Sequence, residues 1–460
     1  MFTISDIANA VNGRIIGEPE GEVSGISTDS RSIGPGELFV PLRGASFDGH
    51  AYLAAVAERG TAVCLAEESW LADHELPVLT TCIAVHDTLN ALGDLAAAFR
   101  RRYTLPVVGI TGSNGKTTCK EMLAAILNQI DSGLKTAGNL NNLIGLPQML
   151  FRLAPEHGWA VLEMGMSEPG EIDRLAEIAA PEVGVVLNAF PAHLESMGSV
   201  ENVARAKGEL LRRLPAGGCA VINADDPLIA VQPVPDGVKR ITFGLQQADV
   251  RATDIKSRGI HGQVFTLHIE GDTQIVQLAA FGRHNIYNAM AAAAAAHALG
   301  IPPEIIVNGL ELFRPYDKRF NLEKIGGLLL IDDSYNANPA SMGAALATLG
   351  ELKEDCAAFV VLGDMLELGS NEAELHRMVG VQAAQVADRL YLHGPLTVYC
   401  AEGAASAGMP AAAVVRGLSH REIADDILNR AAAGDFVLLK GSRGMQMDKV
   451  ADAIRARFRS

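Results

Sequence analysis

The sequence predicts an α/β protein of three domains. In the two larger parts of the chain, short apolar runs alternate with segments whose apolar residues recur every three or four positions. Strands that alternate with helices form mainly parallel sheets with helices on both faces. We therefore expect a small N-terminal α/β domain over residues 1–84, a central P-loop, doubly wound and mainly parallel sheet over residues 85–314, and a C-terminal Rossmann-like domain over residues 315–460.

The first domain is expected to consist of short strands between glycine-rich turns. Strand candidates cover residues 13–16, 38–42, 62–65 and 82–85, and one helix candidate covers residues 51–59. A helical stretch over residues 89–103 has Leu92, Leu95 and Phe99 on one face. This stretch leads into the central domain.

The central domain alternates strands with helices and then changes period. Strands are predicted over residues 105–110, 159–164, 183–188, 219–223 and 240–243, and helices over residues 119–130, 169–180 and 200–214. Ser167 is the predicted cap of the second of these helices. The runs at residues 264–269 and 273–278 have a period of two and flank Gly271-Asp272, which predicts a β-hairpin appended to the sheet. Helices over residues 284–299 and 302–313 complete the domain.

The alternation restarts after Arg314-Pro315. Strands are predicted over residues 328–332, 358–362, 390–393 and 436–440, and helices over residues 340–352, 372–387 and 421–433. In open parallel sheets, ligands bind beyond the carboxyl ends of the strands. Polar residues at those ends are therefore the candidate site residues.

Composition and charge exclude several classes of protein. The formal net charge of −16 argues against a nucleic-acid binder, which needs a basic surface to displace counterions. The six cysteines form no CxxC pair and no metal-ligand spacing, as expected of reduced thiols in a cytoplasmic protein. Neither an export signal nor a membrane span is apparent in the sequence. We expect small-molecule partners, no membrane association and a monomer.

The most informative motif is Thr-Gly-Ser-Asn-Gly-Lys-Thr-Thr at residues 111–118. It lies between a predicted strand and a predicted helix, where backbone N–H groups cradle phosphates, a lysine adds charge and a hydroxyl can bind Mg²⁺. The spacing is not that of the plain P-loop, because Ile110 stands where its first glycine would be. The expected ATP-binding residues here are Gly112, Ser113, Asn114, Gly115, Lys116, Thr117 and Thr118.

Three further residues at the same edge of the central sheet are candidate metal or catalytic residues. Glu163 ends a predicted strand, where a carboxylate can hold the Mg²⁺ that bridges ATP phosphates. His193 follows the next strand, although a single histidine is more often packed or exposed. Lys207 lies on the apolar stripe of its helix. Such a lysine either snorkels to solvent or points into the site, where a buried amine is easily deprotonated and modified.

Polar residues later in the chain extend the candidate site. Asn285 and Asn288 begin an alanine-rich helix, where they either read an adenine edge or cap the helix. Arg319 follows the second domain boundary, where it either closes over the phosphates from the neighbouring domain or lies on the surface. Residues 332–339 follow a strand directly and are rich in turn formers, which suggests a site.

Taken together, these residues resemble the Mur ligases, the ATP-dependent amide-forming enzymes of peptidoglycan synthesis, over essentially the whole chain. The resemblance rests on residues 111–118, 162–165, 188–193, 206–209, 284–288 and Arg319. Residues 332–339, 362–369 and 440–443 are similar to those of the member that adds D-alanyl-D-alanine. Residues 28–31 and 39–50 resemble the UDP-binding domain of the late-acting members.

The resemblance implies a function and roles for residues. It implies a ligase that joins D-alanyl-D-alanine to a UDP-N-acetylmuramoyl tripeptide through an acyl phosphate, with diaminopimelate or lysine as the third residue of the peptide. Lys116, Glu163, His193, Lys207 and Arg319 would be catalytic. One Mg²⁺ would be held by Thr117 and Glu163, and a second by His193 and a carbamate that CO₂ forms on Lys207. Asn285, Asn288 and Asp333 would bind the nucleoside of ATP, and the UDP substrate would be bound by Ser30, Arg31, Arg43, Asn139 and Asn142.

Two other functions remain as alternatives. Another amino-acid ligase of the same superfamily, such as a folylpolyglutamate synthetase, would share the central site, but residues 28–50 argue against it. A P-loop switch or kinase would use the same glycine loop, yet it would not need Lys207, the pair Asn285 and Asn288, or a third domain that closes on the nucleotide.

Overall fold

The computed structural model describes residues 2–44, 46–77, 81–192 and 194–458. They form three large sheets in succession along the chain, with five, nine and six strands, and two small two-stranded sheets in the N-terminal part. The described part of the chain contains no helix that is both long enough and apolar enough to cross a bilayer. The predicted fold class, an α/β protein with three mainly parallel sheets, is confirmed.

The N-terminal part has a five-stranded sheet in the order β2-β9-β8-β5-β4, in which only the β2–β9 pair is antiparallel. Its strands are β1 (Phe2–Thr3), β2 (Arg14–Ile16), β3 (Glu22–Val23), β4 (Gly25–Ser27), β5 (Glu37–Phe39), β6 (Arg43–Gly44), β7 (Phe47–Asp48), β8 (Val63–Glu67) and β9 (Thr81–Val85). Its helices are α1 (Ile4–Ala10), α2 (Leu53–Glu58), α3 (Glu68–Leu71) and α4 (Thr88–Arg100). Helix α4 shares one apolar core with α1 and the central sheet, through Ile7, Leu95 and Leu162.

The central part has one nine-stranded sheet in the order β11-β12-β10-β13-β14-β15-β16-β17-β18. Its strands are β10 (Val107–Thr111), β11 (Gly133–Lys135), β12 (Trp159–Glu163), β13 (Val183–Val186), β14 (Cys219–Asn223), β15 (Lys239–Gly244), β16 (Val250–Ser257), β17 (Gln263–Ile269) and β18 (Asp272–Leu278). Its helices are α5 (Lys116–Leu127), α6 (Gly145–Leu150), α7 (Glu171–Ala179), α8 (Leu194–Met197), α9 (Val200–Lys207), α10 (Glu209–Arg212), α11 (Pro227–Ala230), α12 (Arg283–Ala298) and α13 (Pro303–Leu312). The predicted hairpin is β17 and β18, and the intervening strand β16 pairs parallel with β15, which makes the hairpin part of the sheet.

Two local predictions for the central part are wrong. Ser167 does not cap α7, which begins after Gly170; the carboxylate of Glu209, on α10, instead accepts hydrogen bonds from the first turn, at 3.1 Å from Gly170 N and 3.1 Å from Asp173 N. The predicted helix over residues 200–214 is two helices, α9 and α10, which Gly208 separates. The Gly208 carbonyl accepts hydrogen bonds both from Leu211 N, three residues on, and from Arg212 N, four residues on.

The C-terminal part has a six-stranded sheet in the order β19-β20-β24-β21-β22-β23, in which only the β19–β20 pair is antiparallel. Its strands are β19 (Asn321–Ile325), β20 (Leu328–Asp333), β21 (Ala358–Gly363), β22 (Arg389–His393), β23 (Val414–Arg416) and β24 (Phe436–Lys440). Its helices are α14 (Pro339–Leu352), α15 (Glu372–Ala384), α16 (Thr397–Ser406), α17 (His420–Arg430) and α18 (Asp448–Phe458). The carboxyl ends of β20 and β24 face the carboxyl ends of β10 and β12 across a shared cavity.

Candidate active site

The glycine loop between β10 and α5 forms one wall of a cavity of about 920 Å³. Its seven predicted residues, Gly112 to Thr118, all line this cavity. Gly115 has a φ of 89°, in the left-handed region, and a Cβ there would lie 2.2 Å from Asn288 Oδ1. Only glycine fits this position, because any side chain would push the loop away from α12. The loop therefore keeps its backbone close to the start of α5, as phosphate binding requires.

Asn188 braces the loop from the end of the neighbouring strand β13. Its side-chain amide accepts a hydrogen bond from Asn114 N at 2.9 Å and donates one to Asn114 O at 3.1 Å. Its carbonyl accepts a third from Ser113 N at 3.1 Å. These three bonds fix the loop to the sheet.

The predicted metal ligands Thr117 and Glu163 are in contact. Thr117 Oγ1 donates a hydrogen bond to Glu163 Oε2 at 3.2 Å, and both side chains are buried. Cis ligands of a Mg²⁺ ion with bonds of about 2.1 Å lie about 3.0 Å apart, so the observed separation of the two oxygens suits a shared ion. The described residues hold no cluster of three or more histidine, cysteine, aspartate or glutamate side chains that could form a metal cage. An ion here would thus depend on these two oxygens and on ligand phosphates, which is the usual arrangement for Mg²⁺.

The third predicted ligand, His193, lies outside the described residues. Lys207, the fourth, ends helix α9 and lines the cavity with only 3% of its surface exposed. Among the described residues, none forms a hydrogen bond or an ion pair with its amine. Burial, and after it the nearby charge of Lys116, lower the pKa of the Lys207 amine well below its ordinary value. Lys207 therefore presents to the cavity an amine that has no partner among the described residues and is easily deprotonated.

Lys116 lies in the glycine loop wall and faces the same cavity. Its Nζ donates to the Gly112 carbonyl at 2.6 Å. Burial lowers the pKa of its amine to about 8, although the carboxylate of Glu163 opposes this shift. An anion with several charges, such as a triphosphate, would stabilise the charged form further.

Arg319 reaches the central site from the segment before β19. Its Nη2 donates to Thr117 Oγ1 at 3.2 Å, and its guanidinium stacks 3.8 Å from the centre of the Tyr335 ring. Its Nε is buried and makes no hydrogen bond within the described chain. The flanking residues Lys318 and Phe320 have φ of 57° and 48°, a costly conformation for residues with side chains. Arg319 thus lines the cavity, and its Nε donor has no partner within the described chain.

Asn285 and Asn288 lie within the sequence of α12, are buried, and do not cap the helix. Asn285 Nδ2 donates to Phe281 O at 2.8 Å, and Asn288 Nδ2 donates to Asn285 Oδ1 at 3.0 Å. The N-terminal cap residue is Gly282, which has no side chain with which to cap the helix. The capping alternative is thus wrong, and both asparagines line the cavity.

Asp333 lines the cavity at the end of β20. Its Oδ2 pairs with Lys440 Nζ at 2.5 Å, and its Oδ1 accepts from Phe320 N at 3.1 Å. Nearby His284 is held neutral, because burial lowers its pKa to about 4. Since Asp333 Oδ1 accepts only the hydrogen bond of a backbone amide, this oxygen can accept a further hydrogen bond from a ligand hydroxyl.

Two functional contacts were missed by sequence reasoning. Asn338, which caps α14, exchanges two side-chain hydrogen bonds with Asn114 of the glycine loop, at 2.8 and 3.2 Å. Lys120, which is buried in α5, lies 3.0 Å from Glu163 Oε1. A lysine among the buried residues of its helix was the available signal for Lys120, the same signal that singled out Lys207. No local pattern indicates the asparagine pair, whose members are 224 residues apart in sequence.

The five predicted UDP-substrate residues fall into two groups. Asn139 and Asn142 line the cavity, whereas Ser30, Arg31 and Arg43 lie outside it in the N-terminal part. Arg31 is strongly exposed and pairs with Asp29 at 2.8 Å, and Arg43 pairs with Asp48 at 3.0 Å and Glu67 at 2.9 Å. Helix α6 connects the two groups. At its N-terminus, Gly145 N donates a hydrogen bond to Asn142 Oδ1 at 2.8 Å, and further along the helix Gln148 Nε2 donates to Thr28 Oγ1 at 3.0 Å.

Comparison with known proteins gives a consistent result over the whole chain. Three family profiles match in succession: "Mur ligase family, catalytic domain" at residues 22–100, "Mur ligase middle domain" at residues 110–296, and "Mur ligase, glutamate ligase domain" at residues 318–443. The UDP-N-acetylmuramoyl-tripeptide--D-alanyl-D-alanine ligase of Escherichia coli K12 is 38% identical over 98% of both chains.

Solved structures agree. A crystal structure of MurF from Acinetobacter baumannii superposes with a TM-score of 0.90 at 33% identity over 99% of both chains. A structure of MurF from Thermotoga maritima in complex with ADP superposes with a TM-score of 0.84 at 28% identity, over 94% of this chain and 97% of that one. Since successive profiles and a relative above 30% identity cover nearly all of its length, this chain belongs to the Mur ligase family.

Proposed function

We propose that this chain is an ATP-dependent ligase that joins D-alanyl-D-alanine to a UDP-N-acetylmuramoyl tripeptide in peptidoglycan precursor synthesis. The observation that carries the proposal is the convergence of Thr117, Glu163, Lys207 and Arg319 on one cavity between the central and C-terminal sheets. The named activity is that of the full-length relatives. The third residue of the tripeptide, diaminopimelate or lysine, is left open.

The reaction would proceed in two steps. The terminal carboxylate of the tripeptide attacks the γ-phosphorus of ATP, which forms an acyl phosphate and releases ADP. The amine of D-alanyl-D-alanine then attacks the acyl carbon, loses a proton and expels inorganic phosphate through a tetrahedral intermediate. Holding the two substrates on separate domains that close together supplies the proximity that both steps need.

The groups around the phosphates would be Lys116, Arg319 and the loop N–H groups. Thr117 and Glu163 would hold Mg²⁺, which would neutralise charge on the phosphate oxygens when bound. The unpaired Nε of Arg319 and the contact between Thr117 and Glu163 support this assignment. Asn285 and Asn288 would contact adenine, and the free lone pair of Asp333 Oδ1 would bind the ribose.

Lys207 would act as a carbamate. Its neutral amine attacks CO₂, a C–N bond forms and one proton is released, which converts the neutral amine into an anionic oxygen ligand. This carbamate and His193 would hold a second Mg²⁺. The lowered pKa of Lys207 and the absence of a partner for its amine among the described residues support this role.

We assign residues 1–84 to UDP binding, residues 85–314 to ATP binding, and residues 315–460 to D-alanyl-D-alanine binding and closure. Ser30, Arg31 and Arg43 would bind the UDP group, and Asn139 and Asn142 would line the path of the muramoyl peptide. Helix α6 supports this division, because its Gln148 bonds to Thr28 of the N-terminal part and its Gly145 N–H bonds to Asn142, which lines the cavity. We place the enzyme in the cytoplasm, as its six free cysteines suggest, and expect a monomer.

The proposal is tested by measuring ADP release by the purified chain with each substrate alone and with both together. We expect ADP release at full rate only when both the UDP-tripeptide and D-alanyl-D-alanine are present. Full turnover with neither would favour the P-loop switch or kinase. Turnover with a folate and glutamate, but not with the muramoyl substrate, would favour the folylpolyglutamate alternative.

A further inference from the structure

Lys120 is a buried cation to which the proposed chemistry assigns no role. It lies on α5, one turn after Lys116, with 1% of its surface exposed. Its Nζ donates to the Thr136 carbonyl at 2.7 Å and lies 3.0 Å from Glu163 Oε1 and 3.1 Å from Glu121 Oε1. Burying an ammonium is costly unless it is paired, and here it is paired by two carboxylates and a carbonyl.

The two oxygens of Glu163 have different surroundings. Oε2 accepts the hydrogen bond of the Thr117 hydroxyl on the side of the glycine loop. Oε1 is fully buried, accepts no hydrogen bond within the described chain, and lies against the Lys120 ammonium. The backbone of Glu163 is fixed as well, since its N–H donates to Thr136 Oγ1 at 2.8 Å. Thr136 thus ties Glu163 and Lys120 together, through its hydroxyl on one side and its carbonyl on the other.

We propose that Lys120 is a positioning residue that occupies Glu163 Oε1, so that Glu163 offers a divalent cation only Oε2, and that this makes the site prefer Mg²⁺ over Ca²⁺. The inference rests on the proposed role of Glu163 as a metal ligand. It concerns which cation the site accepts with its nucleotide.

The preference follows from the coordination chemistry of the two ions. Mg²⁺ demands a near-octahedral shell, to which a carboxylate contributes one oxygen, whereas Ca²⁺ takes more ligands at longer distances and readily accepts both oxygens of a carboxylate. An ammonium ion at Oε1 repels a cation that approaches this oxygen. The contact between Lys120 and Glu163 Oε1 therefore prevents binding through both carboxylate oxygens, which favours Ca²⁺, and leaves binding through Oε2 alone, which suits Mg²⁺.

The neighbouring lysine Lys135 provides a matched control. It pairs with Glu121 from the solvent side, has 40% of its side chain exposed, and forms no ion pair with Glu163. Replacing either lysine by methionine removes one positive charge from the same network. Only the replacement of Lys120 frees Oε1 of Glu163.

The test is the ratio of the dissociation constants of ADP measured by calorimetry with saturating Ca²⁺ and with saturating Mg²⁺. In Lys120→Met we expect this ratio to fall by about 10-fold or more, the usual effect of losing a residue that orients a metal ligand. Lys135→Met should keep the ratio of the unsubstituted chain. A purely structural role would weaken ADP binding equally with both ions, so an unchanged ratio in folded Lys120→Met overturns the inference.

A second variant guards against loss of the fold. Lys120→Met leaves the Glu121 carboxylate without one of its two cations, whereas Lys120→Met/Glu121→Gln removes one charge of each sign. Thermal unfolding without nucleotide identifies which variant is folded, and the same fall in the ratio is expected in both.

Glu163→Gln separates the two proposals. If this variant binds ADP with both ions as the unsubstituted chain does, Glu163 is not a metal ligand, and the proposed site fails together with the inference. If Glu163→Gln changes the ratio but Lys120→Met does not, only the inference about Lys120 fails.

Discussion

The cavity at the edge of the central sheet and the N-terminal surface around Arg31 are built on opposite plans. At the cavity, charged groups are buried, and Thr117 holds both Glu163 and Arg319. At the N-terminal surface, 87% of the Arg31 side chain is exposed and its partner Asp29 is two residues away. Breaking a buried ion pair costs much stability, because it leaves a buried charge without a partner. Breaking an exposed ion pair costs little.

This difference indicates how the two surfaces would work. The cavity at the edge of the central sheet is preorganised, since its donors and acceptors contact one another across the central and C-terminal domains. Preorganised groups are those whose removal costs most in catalysis. The N-terminal surface can exchange the partners of Arg31 for a ligand at small cost, which suits binding more than chemistry. We therefore expect substitutions at the cavity to affect nucleotide binding and turnover, and those at the N-terminal surface to affect the affinity for the UDP substrate.

Lys207→Ala should have the largest effect. It removes an anionic ligand if Lys207 is a carbamate, and activity should be abolished. A small added carboxylate, acetate or formate, should restore part of the activity because it can occupy the vacated position. The measurement is ADP release with both substrates, over a series of acetate concentrations.

Lys207→Arg is the matched control for this prediction. Its guanidinium stays charged, forms no carbamate and fills the space, so added acetate should not restore activity. If Lys207→Ala retains most of its activity without an added acid, the carbamate proposal is wrong and Lys207 is a buried lysine without a chemical role.

Lys116→Ala and Glu163→Ala should each lower turnover by about 10²- to 10³-fold, the usual cost of removing one preorganised electrostatic group. Circular dichroism should show a native fold, because β10 and β12 are held by their neighbouring strands. Near-normal turnover in either variant would mean that the chemistry occurs elsewhere.

The fold was predictable where structure is set by local sequence. The strands β10, β12, β14 and β24 follow apolar runs, and the helices between them follow a helical period. One error occurred where a distant group decided the local geometry. The cap of α7 is the side chain of Glu209, some forty residues away, which no inspection of residues 167–171 could reveal.

At the candidate site, too, the sequence predicts residues at local motifs but not contacts between distant segments. Residues on the glycine loop and at strand ends were predicted, because such positions bind ligands in open sheets of this kind. Lys120 was missed, since its partners Thr136 and Glu163 come from other strands and loops. The pair of Asn114 and Asn338 was missed because it forms only when the central and C-terminal parts meet.

The smallest effect is expected at that asparagine pair. Asn338→Asp keeps the cap of α14, because an aspartate oxygen can accept from Ser341 N as Asn338 Oδ1 does at 2.9 Å. It loses the donor to Asn114 Oδ1, so kcat/KM for ATP should fall about fivefold, equivalent to about 1 kcal/mol. A double-mutant cycle with Asn114→Ala isolates the coupling between the two residues. Additive effects would show that the pair does not help to close the domains.

The most direct test of the contrast between the two surfaces is the binding of ADP and of the UDP-tripeptide to two variants, Lys116→Ala and Arg31→Ala, by calorimetry. Lys116→Ala should weaken ADP and leave the UDP-tripeptide unchanged. Arg31→Ala should weaken the UDP-tripeptide by about 10-fold or more, as expected for a lost charge-assisted hydrogen bond, and leave ADP unchanged. Equal losses of both ligands in either variant would contradict the separation of nucleotide chemistry from UDP-substrate binding.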